Sequence, residues 1–504
     1  MSRLTTNILA NLSGQSWSVI VSIAVIPLYI KFLGIEAYGL LGFYMMLQGA
    51  LQILDLGLSP TMNRELARYS TMPEKAGEAR DLVRTLEVGY WLIGIVAGGA
   101  VSAAAPLITH KWLNIGNLPS EEVQQALMMM GLLVALQWPL SFYGSGLMGL
   151  QKQVLVNSIG IPMSLVGSGG AVLVLWLVSP KVTSLLGWQI MFGVLQLALV
   201  AFLLWRNLPT SGRPPRFNLA LLRNVWRFAV GMGGIALSSV ILTQLDKLIL
   251  SRILSLEMFG YYTLASSAGR GLYVFITPMF NAIFPRFSAL VAGGELDQLR
   301  KLYHQASQAM AALVLPVAAV MALFSFDLLK LWLRSEETAS MAAPIVSILV
   351  IGTALNGLLN LPYALQLAFG WTRLSLYINA GLIVALVPAI IVMASAYGAV
   401  GAAVVWVALN LLYFIVGVPL THRWIMRGEG WQWFVGDMCR PLAATLVITG
   451  LARWLVKSPM PTITTVANLT LILTVAALGS IMVSPYLRTW MFDQWLRLRA
   501  VLSC

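Results

Sequence analysis

The chain has 504 residues, of which 59% are hydrophobic and only 10% are charged. Soluble domains carry about 25% charged residues. This composition, with a mean hydropathy of +0.81, therefore excludes a soluble globular protein and indicates a polytopic membrane protein. The net charge of +13 does not indicate a nucleic-acid partner, because the basic residues lie in short loops and are concentrated on one side of the predicted spans.

Cysteine and histidine usage excludes further classes of site. Cys439 begins a late span and Cys504 is the last residue, so no disulfide framework is expected. His110, His304 and His422 fall in predicted loops or at span ends, and their spacing indicates neither a zinc site nor a catalytic triad. We expect no metal, no cofactor and no catalytic residue, and coupling to H⁺ or Na⁺ stays open.

Apolar runs of about 20 residues mark transmembrane helices, and the sequence contains fourteen such runs. The first begins near Ile8 and is too long for the apolar core of a signal peptide, so it is interpreted as a span. The predicted limits are 9–33, 37–61, 83–108, 123–147, 154–178, 185–206, 226–251, 258–283, 303–326, 341–366, 373–396, 399–420, 441–456 and 463–484.

The distribution of basic residues predicts the topology. With a cytoplasmic N-terminus, 22 basic residues fall in inner segments, nine fall in outer segments, and Arg270 lies within a span. By the positive-inside rule, both termini are expected in the cytoplasm.

One segment of the chain occurs twice. Residues 31–39 reappear 221 positions later as residues 252–260. The identical pairs are Leu33 and Leu254, Glu36 and Glu257, and Gly39 and Gly260. At an offset of 222, Arg64 and Asn157 pair with Arg286 and Asn379. A repeat of this length in a membrane protein indicates a two-lobed transporter.

Six predicted spans separate the two copies, so the copies share one orientation and the repeat is parallel. The predicted fold is all-α, with about fourteen transmembrane helices in two six-helix lobes and two further C-terminal helices. We expect an N-lobe at 1–206, a cytoplasmic linker rich in proline at 207–225, a C-lobe at 226–420, and accessory helices with the C-terminal tail at 421–504.

Arg270 is the principal candidate for a binding residue. It lies near the middle of the eighth predicted span, among Ala, Ser and Gly residues that favour close helix approach or a cavity. A charge at the bilayer centre costs about 2.5–3.5 kcal/mol on insertion scales, so this side chain must face protein or water. We predict that it binds an anionic substrate in a central cavity; the alternative is a structural ion pair with Asp246 or Asp55.

Other charged residues near span ends are candidates for coupling or gating. Asp246 and Lys247, toward the outer end of the seventh span, either satisfy each other or take part in cation coupling. Asp55, near the inner end of the second span, either pairs with Arg64 or belongs to an inner gate.

Charges at equivalent places in the repeat mark both membrane faces. Arg64 and Arg286 close the inner ends of the second and eighth spans, where they either report topology or ring the inner mouth as substrate-binding residues. Four charged residues flank the outer turns and either form outer-gate ion pairs or cap helices: Lys31, Glu36, Arg252 and Glu257.

Three sequence features carry a family resemblance. They are the duplicated block, Pro27 ahead of its first copy, and the run from Gln244 through Asp246 to Phe259. Together they resemble the polysaccharide transporters, the Wzx-type lipid-linked oligosaccharide flippases of the multidrug/oligosaccharidyl-lipid/polysaccharide exporter superfamily. The resemblance implies two six-helix lobes around a cavity, with two accessory helices.

The same resemblance implies a substrate and a setting. The expected activity is movement of an undecaprenyl-pyrophosphate-linked glycan to the outer leaflet of a bacterial cytoplasmic membrane by alternating access. This step would serve the biosynthesis of a surface polysaccharide (O-antigen, capsule or exopolysaccharide), with polysaccharide polymerase machinery as an expected neighbour. An inside-negative potential favours outward movement of an anion by about 2.3 kcal/mol per charge per 100 mV, so H⁺ or Na⁺ coupling is optional.

Two departures limit the resemblance. Relatives that flip the peptidoglycan precursor carry basic residues along the first helix, and drug exporters often carry an acidic residue there, whereas this chain has neither before Lys31. The alternatives are a cation-coupled multidrug or small-molecule antiporter of the same fold and a membrane polysaccharide polymerase or ligase. The second would need a large outer loop with catalytic residues, which the sequence lacks.

Overall fold

The computed structural model describes residue 17 and residues 20–55, 57–70, 72–456 and 462–489. These residues are almost entirely helical, and eleven of the helices they form are long and apolar enough to cross a membrane. The chain folds as two compact units, Met1–Gly260 and Tyr261–Cys504, called unit 1 and unit 2 below. The all-α, polytopic fold predicted from the sequence is therefore confirmed.

The described part of unit 1 consists of helices joined by short connections. They are α1 (Ile20–Leu33), α2 (Ile35–Leu51), α3 (Leu58–Tyr69), α4 (Ala76–Leu107), α5 (Ser120–Gly149), α6 (Gln153–Leu177), α7 (Val182–Asn207), α8 (Leu219–Ile253) and the start of α9 (Leu256–Arg270). Most match a predicted span within a few residues, because an apolar run must satisfy its own backbone hydrogen bonds in lipid. The beginning of the first predicted span, 9–16, lies outside the described residues.

Unit 2 continues in the same way. Its further helices are α10 (Tyr273–Ala292), α11 (Leu296–Leu323), α12 (Ser325–Leu333), α13 (Glu336–Ala368), α14 (Thr372–Leu412), α15 (Val418–Trp424), α16 (Arg440–Leu455) and α17 (Thr462–Met482). A π-helical segment, Tyr413–Gly417, joins α14 to α15, and another, Gln432–Cys439, leads into α16.

The long helix α14 is in effect two helices. Gly398 has a φ of 60° and interrupts the helical backbone, in a region of φ that favours glycine. A Cβ atom at Gly401 would collide with the carbonyl oxygen of Met393, so the chain folds back closely after the break. The break falls between the predicted spans 373–396 and 399–420, which the sequence separated at the same place.

Two predicted spans are interrupted instead of continuous. The second, 37–61, is divided by a 3-10 turn at Gln52–Asp55 before α3 begins. The eighth, 258–283, is divided between α9, which ends at Arg270, and α10, which begins at Tyr273. Both interruptions place a charged side chain where the helical hydrogen bonding stops.

The connection between α7 and α8 lies against α4. The carboxylate of Asp81 pairs with Arg213 Nη2 at 2.5 Å and accepts a hydrogen bond from the backbone N–H of Arg216 at 2.7 Å. Thr85 Oγ1 accepts a hydrogen bond from the backbone N–H of Asn218 at 2.9 Å. The proline-rich segment is therefore held at defined points on a helix.

The linker predicted at 207–225 is shorter in the structure, because α8 already begins at Leu219. The two compact units meet in sequence at Gly260, so α8 packs with unit 1. The predicted lobe limits follow the sequence repeat instead of the packing, and they stay predictions.

Candidate functional site

The two copies of the duplicated segment lie against each other in unit 1. Gly39 of α2 and Gly260 of α9 occupy the same position in the two copies, and their backbones are in direct contact. A Cβ atom at Gly39 would collide with the carbonyl oxygen of Leu256, and one at Gly260 would collide with the carbonyl oxygen of Ile35. Because Ile35 and Leu256 are themselves equivalent positions, the contact is symmetric. We call these four residues the repeat junction.

The loop between α4 and α5 binds to both copies. The carboxylate of Glu36 accepts hydrogen bonds from two consecutive backbone N–H groups of this loop, that of Gly116 at 2.6 Å and that of the next residue at 2.9 Å. Asn114 forms an isolated parallel β-bridge with Ser255, and its carbonyl oxygen accepts a hydrogen bond from the N–H of Leu256 at 2.8 Å. The loop thus ties the first copy to the second.

The side chain of Asn114 also satisfies the end of α8. Its Nδ2 donates to the carbonyl oxygen of Arg252 at 3.0 Å and to that of Leu254 at 3.2 Å. Carbonyl groups in the last turn of a helix have no partner inside the helix. The loop therefore caps α8 at the point where the second copy begins.

The structure places the four charged residues of the outer turns individually. Glu36 is 8% exposed, and among the described residues its carboxylate bonds to loop backbone, with no ion pair and no capping bond to α2. Lys31 is exposed, with Nζ 5.9 Å from the ring centroid of Phe32. Arg252 donates from Nη1 to the carbonyl oxygen of Trp112 at 3.3 Å. Glu257, the counterpart of Glu36, is exposed.

Asp55 lies at the interruption between α2 and α3. Its Oδ1 accepts hydrogen bonds from the hydroxyl groups of Ser59 and Tyr90, each at 2.6 Å. Gly57, with a φ of 73°, lets the chain turn into α3. The predicted pairing with Arg64 is not among these bonds. The carboxylate instead holds the broken helix against α4.

A second buried carboxylate on α4 was not anticipated from the sequence. Glu87, 6% exposed, accepts hydrogen bonds at Oε1 from the Tyr143 hydroxyl at 2.6 Å and from Trp205 Nε1 at 3.1 Å. Its Oε2 pairs with Arg84 Nη1 at 2.6 Å. Glu87 therefore connects α4, α5 and α7. A glutamate inside a predicted apolar span was the available signal.

Asp246 and Lys247 satisfy each other, the first of the two alternatives. The Lys247 Nζ lies 3.1 Å and 3.2 Å from the two carboxylate oxygens of Asp246 and donates to the carbonyl oxygen of Thr243 at 2.8 Å. Both side chains are about one-quarter exposed or less, at 20% and 26%. A role in cation coupling stays a prediction.

Arg64 and Arg286 are exposed on α3 and α10. Arg64 Nε lies 3.9 Å from Oε1 of Glu65, and Arg68 Nη2 pairs with the same carboxylate at 2.9 Å. Glu65 is 5% exposed, and the shorter of these two ion pairs, that with Arg68, holds the buried carboxylate. A substrate-binding role for Arg64 and Arg286 stays a prediction.

Arg270 is exposed at the last position of α9, beside the interruption of the eighth predicted span. Its Nη2 donates to Ser267 Oγ at 3.0 Å. In the part of unit 2 that the structure describes, no carboxylate lies within 4 Å of its guanidinium. The guanidinium keeps further N–H donors for an anion, because it has five in all.

A set of hydrogen-bonded, uncharged polar side chains begins just after the interruption between α9 and α10. The sequence analysis did not identify it. The Tyr273 hydroxyl donates to Asn356 Oδ1 at 2.8 Å, and Asn356 Nδ2 donates to Asn410 Oδ1 at 2.9 Å. Asn410 is 1% exposed. The chain of amides connects α10, α13 and α14. Asparagine inside an apolar span was the available signal, since such groups need a partner in lipid.

Metal binding finds no support in these clusters. Among the residues that the structure describes, no group of three or more His, Cys, Asp and Glu side chains is placed to hold a metal ion. What the described polar groups offer is hydrogen bonding, fixed charge and contact between helices.

This chain is similar to known proteins in sequence and in fold. A family model described as polysaccharide biosynthesis protein matches residues 4–291, and the MatE model matches residues 235–392. The putative O-antigen transporter of Shigella flexneri is 22% identical over 410 residues, which cover 79% of this chain and 92% of that protein.

Two solved structures share the fold at low sequence identity. The lipid II flippase MurJ in an inward closed conformation is 12% identical, with a TM-score of 0.71 over 95% of this chain and 98% of that one. An inward-facing multidrug resistance MATE family transporter of the MOP superfamily is 15% identical, with a TM-score of 0.68 over 81% and 94%. Since the first family model spans more than half of the residues, the chain belongs to the polysaccharide biosynthesis protein family, within the multidrug/oligosaccharidyl-lipid/polysaccharide exporter superfamily.

Proposed function

We propose that this protein is a flippase that moves a polyprenyl-pyrophosphate-linked oligosaccharide from the cytoplasmic to the outer leaflet of a bacterial cytoplasmic membrane. Family membership and the likeness to an O-antigen transporter support the substrate class. The observation that carries the mechanism is the symmetric contact of Gly39 with Gly260 in the repeat junction. Two copies of one segment that meet in this way form a gate between the two lobes predicted from the repeat.

The repeat junction lies on the predicted outer side, so this arrangement corresponds to a closed outer gate. Opening that gate separates Gly39 from Gly260 and releases the loop held by Glu36. The contacts of the repeat junction and the loop stabilise the closed gate, so closure requires no separate energy source. Alternating access then consists of exchange between this arrangement and one that is closed on the inner side.

The substrate is recognised by its charge. In the proposal, Arg270 binds the pyrophosphate during transit, and Arg64 with Arg286 attracts it at the inner mouth. A guanidinium suits this task because it stays charged and makes bidentate bonds to phosphate oxygens. Asp246 with Lys247, and Asp55 with Tyr90, are then polar contacts that are remade as the gate moves.

The protein makes and breaks no covalent bond in this scheme, so it acts as a transporter and not as an enzyme. Both termini face the cytoplasm, and the translocated glycan is passed to a polymerase at the outer leaflet. The membrane potential drives the movement, with H⁺ or Na⁺ coupling as an additional source.

A disulfide lock across the gate tests the proposal. Asn114 and Ser255 are exposed and paired as a parallel bridge, which implies a separation of about 4.8 Å, within the range that a disulfide spans. N114C/S255C would be made in a C439S/C504S background. Oxidation should stop appearance of lipid-linked glycan at the outer leaflet, and reduction should restore it.

Three controls sharpen this experiment. Each single-cysteine variant should transport under oxidising conditions, and the reduced double variant should transport like its cysteine-free parent. Full transport by completely cross-linked protein would contradict the gate. If the lock blocks ethidium efflux, and the unlocked protein moves no lipid-linked glycan, the function is multidrug antiport. The match to the MatE model supports this alternative.

A further inference from the structure

A basic cavity lies in unit 2, apart from the residues discussed above. It has a volume of about 510 Å³ and is lined by Arg423, Trp424, Arg427 and Gly428. These residues end α15 and begin the loop to the next span. Arg423 lies in the last turn of α15, and Arg427 lies four positions further along the chain, in the loop.

The positive charge in the cavity is uncompensated. Within the described residues, no carboxylate lies within 4 Å of either Arg423 or Arg427. The one acidic residue of the loop, Glu429, points elsewhere: its carboxylate lies 3.5 Å from Arg300 Nε and 3.2 Å from His304 Nε2. Two exposed guanidinium groups are therefore available for an anion.

A buried polar cluster holds the loop that carries the cavity residues. Glu429 binds His304, whose Nδ1 lies 2.5 Å from the buried carboxylate of Asp437. Gln308 Nε2 donates to the other oxygen of Asp437 at 2.9 Å. Gly428 has a φ of +88°, which lets the chain turn between Arg427 and Glu429. The cavity is thus preorganised, since its walls are anchored by a buried polar cluster.

Exposed aromatic and apolar side chains lie close to the cavity residues in the sequence. Trp424 is 60% exposed and Trp431 is 78% exposed, as expected for residues of an interfacial belt. On the helix that leads to the cavity, Leu411 and Ile415 are 43% and 60% exposed. The site therefore offers cationic groups for a headgroup and an apolar helix surface for acyl chains.

We infer that this cavity binds the headgroup phosphate of an anionic phospholipid in the predicted inner leaflet. Basic pockets on the cytoplasmic side of membrane proteins recognise such headgroups. The carrier pyrophosphate is the other possible source of phosphate. A translocated substrate must contact both lobes, whereas the four residues that line this cavity all lie within 423–428 and follow the predicted C-lobe. That placement suits a resident lipid.

Native mass spectrometry of the purified full-length protein with phosphatidylglycerol tests the inference. R423Q/R427Q should weaken binding by about fivefold for each arginine removed. The matched control is R206Q/R488Q, which removes the same charge from exposed arginines on the predicted inner side, outside the cavity. The control should bind phosphatidylglycerol like the unmodified protein.

Several outcomes would overturn the inference. Equal weakening in both double variants would indicate general electrostatic attraction. Loss of undecaprenyl pyrophosphate binding with phosphatidylglycerol binding intact would make the cavity a substrate subsite, and full competition by inorganic phosphate would make it a free-phosphate site. If R423Q/R427Q does not fold, hydrogen exchange of the unmodified protein decides. Residues 425–431 should be protected in nanodiscs that contain phosphatidylglycerol relative to phosphatidylcholine alone, and unchanged exchange would reject the site.

Discussion

Gly39 and Gly260 each lie against the carbonyl oxygen of the residue that stands four positions before the other one. The nitrogen of Gly260 lies 3.1 Å from where a Gly39 Cβ would be, and the reciprocal distance is 3.2 Å. A surface that contacts its own copy must be complementary to itself. Glycine is required in both copies for this reason, since any side chain would separate the two backbones.

Replacement of either glycine by alanine should weaken the closed gate. Overpacking of this kind costs about 1–3 kcal/mol, and G39A or G260A should therefore lower the yield of the N114C/S255C cross-link at equilibrium. The measurement is the cross-linked fraction on non-reducing gels after mild oxidation. G99A is the control, because an added methyl group there meets open space. An unchanged cross-link yield in G39A and G260A would show that the gate is not held by this contact.

The repeat made Gly39 and Gly260 recognisable from the sequence, because identity at an offset of 221 needs no structure to be seen. The partner of Glu36 was not recognisable. Its carboxylate binds backbone N–H groups at Gly116, and a backbone donor leaves no trace in side-chain identity. Most of the spans were predictable from apolar length alone, and so was the break at Gly398.

The interruptions at Asp55 and Arg270 were not predicted, because the apolar residues on either side of each were joined into one predicted span. A charged residue followed closely by glycine was the signal at both places. His304 gave no signal at all: its partner Asp437 is 133 positions away, and two residues so far apart meet only through tertiary packing. The sequence therefore predicted what depends on local pattern and missed what depends on contacts between distant helices.

Glu36 should stabilise the closed gate through the loop of α4 and α5. Hydrogen bonds to a charged acceptor contribute about 1.5–3 kcal/mol, so E36A should speed amide exchange at residues 114–117 by at least about tenfold. E36Q should have a smaller effect because one amide oxygen can still accept a bond. The repeat-equivalent and exposed Glu257 provides the control as E257A. Equal exchange in E36A and the unmodified protein would remove Glu36 from the gate.

Arg270 should be required for transport and not for insertion. R270A should abolish export of the surface polysaccharide, with lipid-linked glycan accumulating in the inner leaflet, while protein levels in the membrane stay unchanged. R270K should retain part of the activity because it keeps the charge and loses the bidentate geometry. The assay is complementation of a strain that lacks the gene, with S267A as a control that removes only the hydroxyl acceptor of Arg270. Normal export by R270A would reject the proposed pyrophosphate contact.

The cluster of His304 and Asp437 should hold the accessory helix to α11. Asp437 is 0% exposed and bonded at both oxygens, so removal of the imidazole in H304A leaves a buried carboxylate without its close partner. Breaking a buried pair in this way costs about 3–5 kcal/mol, and the apparent Tm in detergent should fall clearly.

Replacing both His304 and Asp437 distinguishes the free-energy cost of breaking the pair from the contribution of the intact pair to stability. H304L/D437L removes both charged groups together, and such replacements are often neutral or stabilising, so its Tm should lie above that of H304A. R300Q is the exposed control: the Arg300 side chain is 45% exposed, and pairs of this kind contribute about 0–1 kcal/mol. If H304A unfolds at the same temperature as R300Q, the cluster does not anchor the accessory helix. The loop that carries Arg427 and Gly428 of the basic cavity would then have to be held by other contacts.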